Sequence, residues 1–285
     1  MTTTSSRGQG QGADTAAKAP AADAPAHGNV LLSRDGVVAT ITLSHPGKLN
    51  ALNVAMWLTL RRVLDDLSDD DTLRCVLLRG ADGNFAAGAD ISEFPEQRGD
   101  LDSLLHYHDA ILAPALQAVA QCKHPTVAAI QGVCVGGGLE IAAHCDLRIA
   151  AHSSKLGVPI HRLGFPMAPG EMQGVLALAG RAVTLELLLE GRLLGADEAY
   201  AKGLLTRVVD DHAWLAEVQR CVDRITAGAP LAARINKDMV RRLSPEVAPL
   251  TDAERRACFA YWNSSDHLEG VSAFLAGRKP VFTGQ

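Results

Sequence analysis

The spacing of apolar residues changes several times along the chain, and each change predicts an element. Val37-Val38-Ala39-Thr40-Ile41-Thr42-Leu43 is β-branched and follows a turn at Asp35-Gly36, which predicts a strand. His45-Pro46-Gly47 breaks it. From Leu52 to Leu67, Met56, Leu60, Val63, Leu64 and Leu67 recur at helical spacing. Asp69-Asp70-Asp71 closes that helix and reads as a solvated loop. Cys75–Leu78 predicts a short strand, and Leu101–Cys122 a long helix that Pro114 is placed to kink. Thr126–Ile130 reads as a buried strand, Gly137–His144 as a helix and Leu147–Ala150 as another strand. This alternation, up to about residue 165, predicts an α/β core. Helical patterns dominate afterwards: Met172–Ala179, Val183–Leu189, Asp197–Lys202, Ala213–Ile225, Leu231–Leu243 and Ala253–Trp262, with one short strand at Thr206–Val209. The strand order does not follow from these patterns.

Composition narrows the class. The chain has 285 residues, 47% of them hydrophobic, enough for one large core or two small domains. A net charge of -5 argues against nucleic acid as the main partner. No uninterrupted apolar run of the about 18 residues that a membrane span needs is present, so no span is expected. The six cysteines form no C-x-x-C pair and several lie in apolar runs. They read as small buried hydrophobes of a cytoplasmic, reducing compartment. Residues 1–28 are rich in Ala, Gly, Thr, Ser and Gln, without aromatic residues or periodicity, and read as a disordered tail. The expected organisation is this tail, an α/β core over 29–210 and a helical region over 211–285.

Two small-residue turns carry the candidate chemistry. One is Phe85-Ala86-Ala87-Gly88-Ala89-Asp90-Ile91, after the strand Cys75–Leu78; the other is Val135-Gly136-Gly137-Gly138-Leu139-Glu140, after Val127–Ile130. Each can present a bare backbone N–H to a ligand, and two such groups converging on one oxygen make an oxyanion hole. A helix starting at the glycines adds its positive dipole end, and Glu140 just inside it stands ready for proton transfer. Taken alone, a glycine run after a strand also reads as a tight turn, and Glu140 as an acid favoured by the helix dipole.

Both turns, in this order, resemble the crotonase superfamily, also called the enoyl-CoA hydratase/isomerase family. The resemblance also runs through Lys48-Leu49-Asn50-Ala51-Leu52, VGGGLEIAAHCDLRIA, Gly164-Phe165-Pro166, Leu189-Glu190-Gly191, Ala196-Asp197-Glu198-Ala199, Gly203-Leu204 and Phe274-Leu275-Ala276-Gly277-Arg278-Lys279-Pro280. It implies a spiral of ββα repeats with a helical C-terminal trimerisation region, a homotrimer or dimer of trimers, and an acyl-CoA thioester substrate. Coenzyme A then arrives as part of the substrate, with no separate cofactor or metal. It assigns the oxyanion N–H groups to Ala87 and Gly137. It places Gly88, Ala89, Asp90 and Ile91 at the adenine end of coenzyme A, with Ala51 and Leu52 along the same path. Asp90 has a competing role as a turn residue capping its own backbone. Arg278 and Lys279 are placed near the phosphates of a coenzyme A bound by a neighbouring subunit, with ordinary surface solvation as the alternative.

Glu140 matches one of the two catalytic glutamates of family hydratases. His144, four residues later, reads as packing or capping the helix end. The second glutamate directly follows a proline in the family; here Pro159 is followed by Ile160. His161, next to it in an extended segment, would face the opposite way. Glu171 after Pro169-Gly170 is either a helix-start acid or a replacement that projects into the pocket. His106-Tyr107-His108-Asp109 looks metal-like, but helix neighbours at i and i+2 do not share a face. Three functions stand side by side: an enoyl-CoA hydratase, another enolate-forming acyl-CoA reaction such as isomerisation, and a non-catalytic acyl-CoA-binding protein favoured by Ile160.

Overall fold

The computed structural model describes residues 1–2, 27–244 and 250–284. Residues 3–26, most of the expected tail, lie outside the described residues.

The chain begins with a hairpin of β1 (Asn29–Asp35) and β2 (Val38–Ser44), turned at Gly36 with φ 55°. The apolar pattern missed β1 because its side chains are almost all exposed and do not alternate. There follow α1 (Val54–Asp69), β3 (Cys75–Gly80), α2 (Phe94–Gln97), α3 (Leu101–His106) and α4 (Ala113–Gln121). Then come β4 (Thr126–Ile130), β5 (Val133–Val135), α5 (Gly137–His144), β6 (Leu147–Ala151) and β7 (Lys155–Gly157). α6 (Pro169–Glu190), β8 (Leu194–Gly195), α7 (Ala196–Ala201) and β9 (Arg207–Val209) lead to α8 (Asp211–Ala227), α9 (Pro230–Leu243), α10 (Asp252–Cys258) and α11 (Ser265–Leu275).

A six-stranded sheet runs β1-β2-β3-β4-β6-β9, parallel except at β1. A three-stranded sheet runs β5-β7-β8. Successive passes, β4-β5-α5 and β6-β7-α6, each place one strand in each sheet before a helix. The pass before them does the same through a bridge between Ala86 and Cys134 of β5. This is the expected ββα spiral. The short strands β5, β7 and β8 were not predicted, because two or three residues carry no period.

Side chains alternate across the large sheet. Val76 and Leu78 face the main core with Leu60, Leu64 and Leu116. Cys75, Val127 and Ile149 face Trp214, Val218, Cys221 and Val222 of α8. The Trp214 indole N–H also donates to the Ile149 carbonyl at 3.1 Å. The helical region therefore begins as the cover of the second sheet face. All six cysteines are free thiols, five of them buried.

One expectation needs correction. The segment Leu101–Cys122 is not one helix, because a π-helical turn, Tyr107–Leu112, separates α3 from α4. Pro114 has no N–H to give, and the Ala113 N–H reaches back five residues to the His108 carbonyl. The acid run after α1 is exposed but engaged: Asp70 pairs with Arg34 at 2.6 Å, and Asp71 with Lys123 and Arg234, each at 2.9 Å. By length and composition α6 is the 1 described helix able to cross a membrane, with mean hydropathy 1.4. Its Glu171 and Val175 are buried in the domain, and Gly180 (φ 72°, ψ 174°) breaks it between the two predicted helical runs.

Asn50 locks the loop before α1. It is 2% exposed at φ 59°. Its Oδ1 accepts from His45 N at 3.0 Å, and its Nδ2 donates to the Ala81 and Asn84 carbonyls at 2.8 Å each. Asn50→Ala strands these groups and replaces a residue that tolerates left-handed backbone with one that does not. Urea unfolding should show a loss of about 3 kcal/mol; a loss within experimental error would show that this loop is not a lock.

Candidate active site

The two turns abut. Gly88 has φ 100°, and a Cβ on it would lie 3.2 Å from the Val135 carbonyl and 3.6 Å from Gly137 N. Gly136, at φ 51°, caps α5, whose first turn carries Glu140. The 85–90 turn is held on both sides. Phe85 N and Ala86 N donate to the Val133 carbonyl at 3.0 Å each, and Val135 N returns a bond to Ala86 O at 2.9 Å. On the other side Leu52 N donates to Gly88 O at 2.7 Å, and Asp90 N to Leu52 O at 2.8 Å.

This clamp corrects one expectation. The Ala87 N–H donates to the Leu49 carbonyl at 3.0 Å and is not free for a ligand. The Ala89 N–H shares a peptide plane with the Gly88 carbonyl that Leu52 holds, so it points the opposite way. Among the described residues neither the Ala89 nor the Gly137 N–H has an acceptor, and both residues line one cavity of about 600 Å³. Ala89 and Gly137 are therefore the pair of free donors.

Two glutamates face this cavity. Glu140 is 4% exposed and Glu171 6%. Glu171 is both a first-turn acid of α6 and a cavity residue, so its two readings coincide. His108 Nδ1 donates a hydrogen bond to Glu171 Oε1, and the π turn carries that histidine inward. Burial pushes the Glu140 carboxyl well above the usual carboxylate range; the Glu171 charge adds to this, and Arg98 opposes it. Ile160 lines the wall at the position where the family has its second glutamate. Residues Ile160–Leu163 form a 3-10 turn, not the extended segment expected. His161 still lies away from the cavity, against Gly191. His144 packs at the helix end as expected, its Nδ1 donating to the Glu140 carbonyl at 2.7 Å, with its ring beside Gly174.

The remaining predicted residues divide. Ala51, Gly88, Asp90 and Ile91 line the cavity. Leu52 is buried beneath it and acts through its backbone. Asp90 caps the next turn by accepting from Ser92 N at 3.2 Å, and it takes Lys48 Nζ at 2.6 Å. Burial acts against ionisation there, but the Lys48 and Ser92 hydrogen bonds hold Asp90 below the usual carboxylate range. Lys279 is exposed and outside the cavity of its own chain, while Arg278 pairs with Glu269 at 2.6 Å. Among the described residues no His/Cys/Asp/Glu cluster suits a metal ion, and His106-Tyr107-His108-Asp109 contributes only His108 to the site.

Sequence reasoning missed the site roles of Lys48, Arg98 and His108. Lys48 stood inside the quoted Lys48-Leu49-Asn50 motif. Arg98 follows Phe94 by four residues, a spacing that puts guanidinium over ring, and its Cζ sits 3.6 Å from that ring's centre. His108 stood only in the metal-like cluster, because its inward direction depends on the π turn.

The raised Glu140 pKa fixes a sign. The folded protein holds a proton there at pH values where the unfolded chain, at the ordinary 4.5, has lost it. Stability is therefore given up as pH rises through the raised value. Glu140→Gln removes the ionising group, so its melting temperature relative to wild type should climb from about pH 5 to about pH 8. A flat or falling difference would mean that Glu140 is not held protonated.

Residues 33–285 match a family model described as enoyl-CoA hydratase/isomerase. The chain is similar to a probable enoyl-CoA hydratase of Mycobacterium bovis, 34% identical over 89% of this chain and 97% of that one. It is also similar to the 1,2-epoxyphenylacetyl-CoA isomerase of Escherichia coli K12, 33% identical over 87% and 95% of the two chains. A crystal structure of an enoyl-CoA hydratase/carnithine racemase from Magnetospirillum magneticum is 45% identical, with a TM-score of 0.74, over 90% and 96%. These matches span nearly the whole chain, and the chain belongs to the enoyl-CoA hydratase/isomerase family.

Proposed function

We propose that the protein adds water across the double bond of an enoyl-CoA thioester. The observation that carries this reading is the pair of buried acids, Glu140 and Glu171, beside the free Ala89 and Gly137 N–H groups. The thioester oxygen takes both N–H groups, which stabilise the enolate as negative charge develops on it. Glu171, steadied by His108, takes a proton from water, and the water oxygen bonds to the β-carbon. Glu140, which burial and the Glu171 charge favour in its protonated form, gives its proton to the α-carbon. One acid and one base are what hydration needs, and Glu171 supplies from α6 what Ile160 lacks. Coenzyme A enters as part of the substrate, and the reaction requires no separate cofactor.

Mass spectrometry after incubation with crotonyl-CoA should show a product heavier by one water. Glu140→Gln and Glu171→Gln should each lower turnover by about 10²–10⁴-fold. Isomerisation is the second reading, favoured by the Escherichia coli relative. It predicts products of unchanged mass and full activity in Glu171→Gln. Absence of both products from a panel of enoyl-CoA thioesters would refute the enzyme readings.

Assembly into a trimer or dimer of trimers belongs to the same proposal. α9 exposes Leu231, Ile235, Met239, Val240 and Leu243, and α6 exposes Leu176, Leu185 and Leu189. Apolar faces of this kind mark interfaces. In such an assembly the exposed Lys279 is available to the phosphates of a neighbour's coenzyme A. Light scattering should give three or six times 30.1 kDa; a stable monomer would refute it.

A further inference from the structure

Arg98 lines the cavity and has no task in the water addition. It is 8% exposed, a rare state for an arginine without a carboxylate partner. Its Cζ lies 3.6 Å from the ring centre of Phe94, 4.7 Å from Tyr107 and 4.8 Å from Phe165. Ring faces attract the cation, but they leave the in-plane N–H groups unsatisfied. Nε and Nη1 are buried without a hydrogen-bond partner, and among the described residues no carboxylate pairs with Arg98. A desolvated guanidinium in this state is costly until an anion arrives.

Its place in the cavity indicates which part of a ligand it meets. The Tyr107 ring under Arg98 lies 5.2 Å from the His108 ring, and His108 holds Glu171. Arg98 therefore stands at the end of the cavity that holds the two glutamates. Lys48 and Asp90 mark a different stretch of the same wall. Two further polar atoms near Phe165 are buried and unpartnered, Tyr261 OH and His267 Nδ1. The Tyr261 and His267 rings lie 6.3 and 5.8 Å from Phe165 and 5.1 Å from each other. A purely hydrocarbon acyl chain would leave the guanidinium unanswered.

We propose that Arg98 receives a carboxylate at the far end of the acyl chain, so that the substrates are half-thioesters of dicarboxylic acids with coenzyme A. The planar fork of the guanidinium matches a carboxylate, and the three rings hold it in one orientation. This deepens the acyl-CoA reading of the cavity and rests on it, but not on hydration.

Calorimetry with saturated thioesters separates the two ideas, because these ligands have no double bond to hydrate. Succinyl-, glutaryl- and adipyl-CoA are compared with butyryl-, pentanoyl- and hexanoyl-CoA of matching carbon count. Wild type should bind at least one dicarboxylic member about tenfold or more tighter than its partner. In Arg98→Met that ratio should fall towards one. The wild-type series needs no variant, so a poorly folding Arg98→Met does not remove the test. Equal affinity within every pair would overturn the proposal, as would a preference that survives Arg98→Met. A carboxylate preference in a protein without hydratase activity would uphold this inference and refute hydration.

Discussion

Gly88 lies against Gly136 and Gly137 with no side chain between them, and this approach of two backbone turns governs the rest of the site. It brings the Ala89 and Gly137 N–H groups to one cavity and sets the start of α5, which in turn sets Glu140. The approach is not left to the glycines. Leu52 pairs with the 88–90 side of the turn, β5 pairs with the 85–86 side, and the Leu49 carbonyl takes the N–H between them. A turn tied this fully has little freedom to reorganise when charge develops, which is the condition for an oxyanion hole to be effective.

The same rigidity holds groups that a stable core would reject. Two glutamates, an unpaired guanidinium, and the unpartnered Tyr261 hydroxyl and His267 Nδ1 are buried within one region. Each raises the free energy of the empty folded state. The main core around α1 and the sheet, with Trp57, Leu60, Leu64 and Leu78 inaccessible to solvent, offsets that cost. Function here rests on stability given up locally.

Long periodic segments were legible in the sequence. α1, β3, β4, α5, β6 and α8 fall where the apolar spacing places them. The short strands of the second sheet were not legible, because two or three residues cannot display a period, and β1 was hidden by its exposed side chains. In the site, Glu140 and Gly137 followed from the glycine motif, while Glu171 was seen but left between two roles. Ala87 was misassigned because the choice among adjacent N–H groups depends on partners distant in sequence, Leu49 and Leu52. Arg98 was invisible and His108 was seen only in a metal-like cluster, because neither sits in a turn motif and the inward direction of His108 depends on the π turn against α6.

The π turn has a consequence for how such a site changes. A π turn holds one residue more than an α-helical turn of the same rise. Deleting a single residue from 107–112 would restore regular winding with α3 and α4 close to their present directions, and would redistribute the side chains inside the turn, His108 among them, around the helix. His108 would leave Glu171 with every cavity side chain still encoded. The acid end of this cavity can thus be rewired by a change in chain length alone, a route to new chemistry that a comparison of substituted positions would overlook.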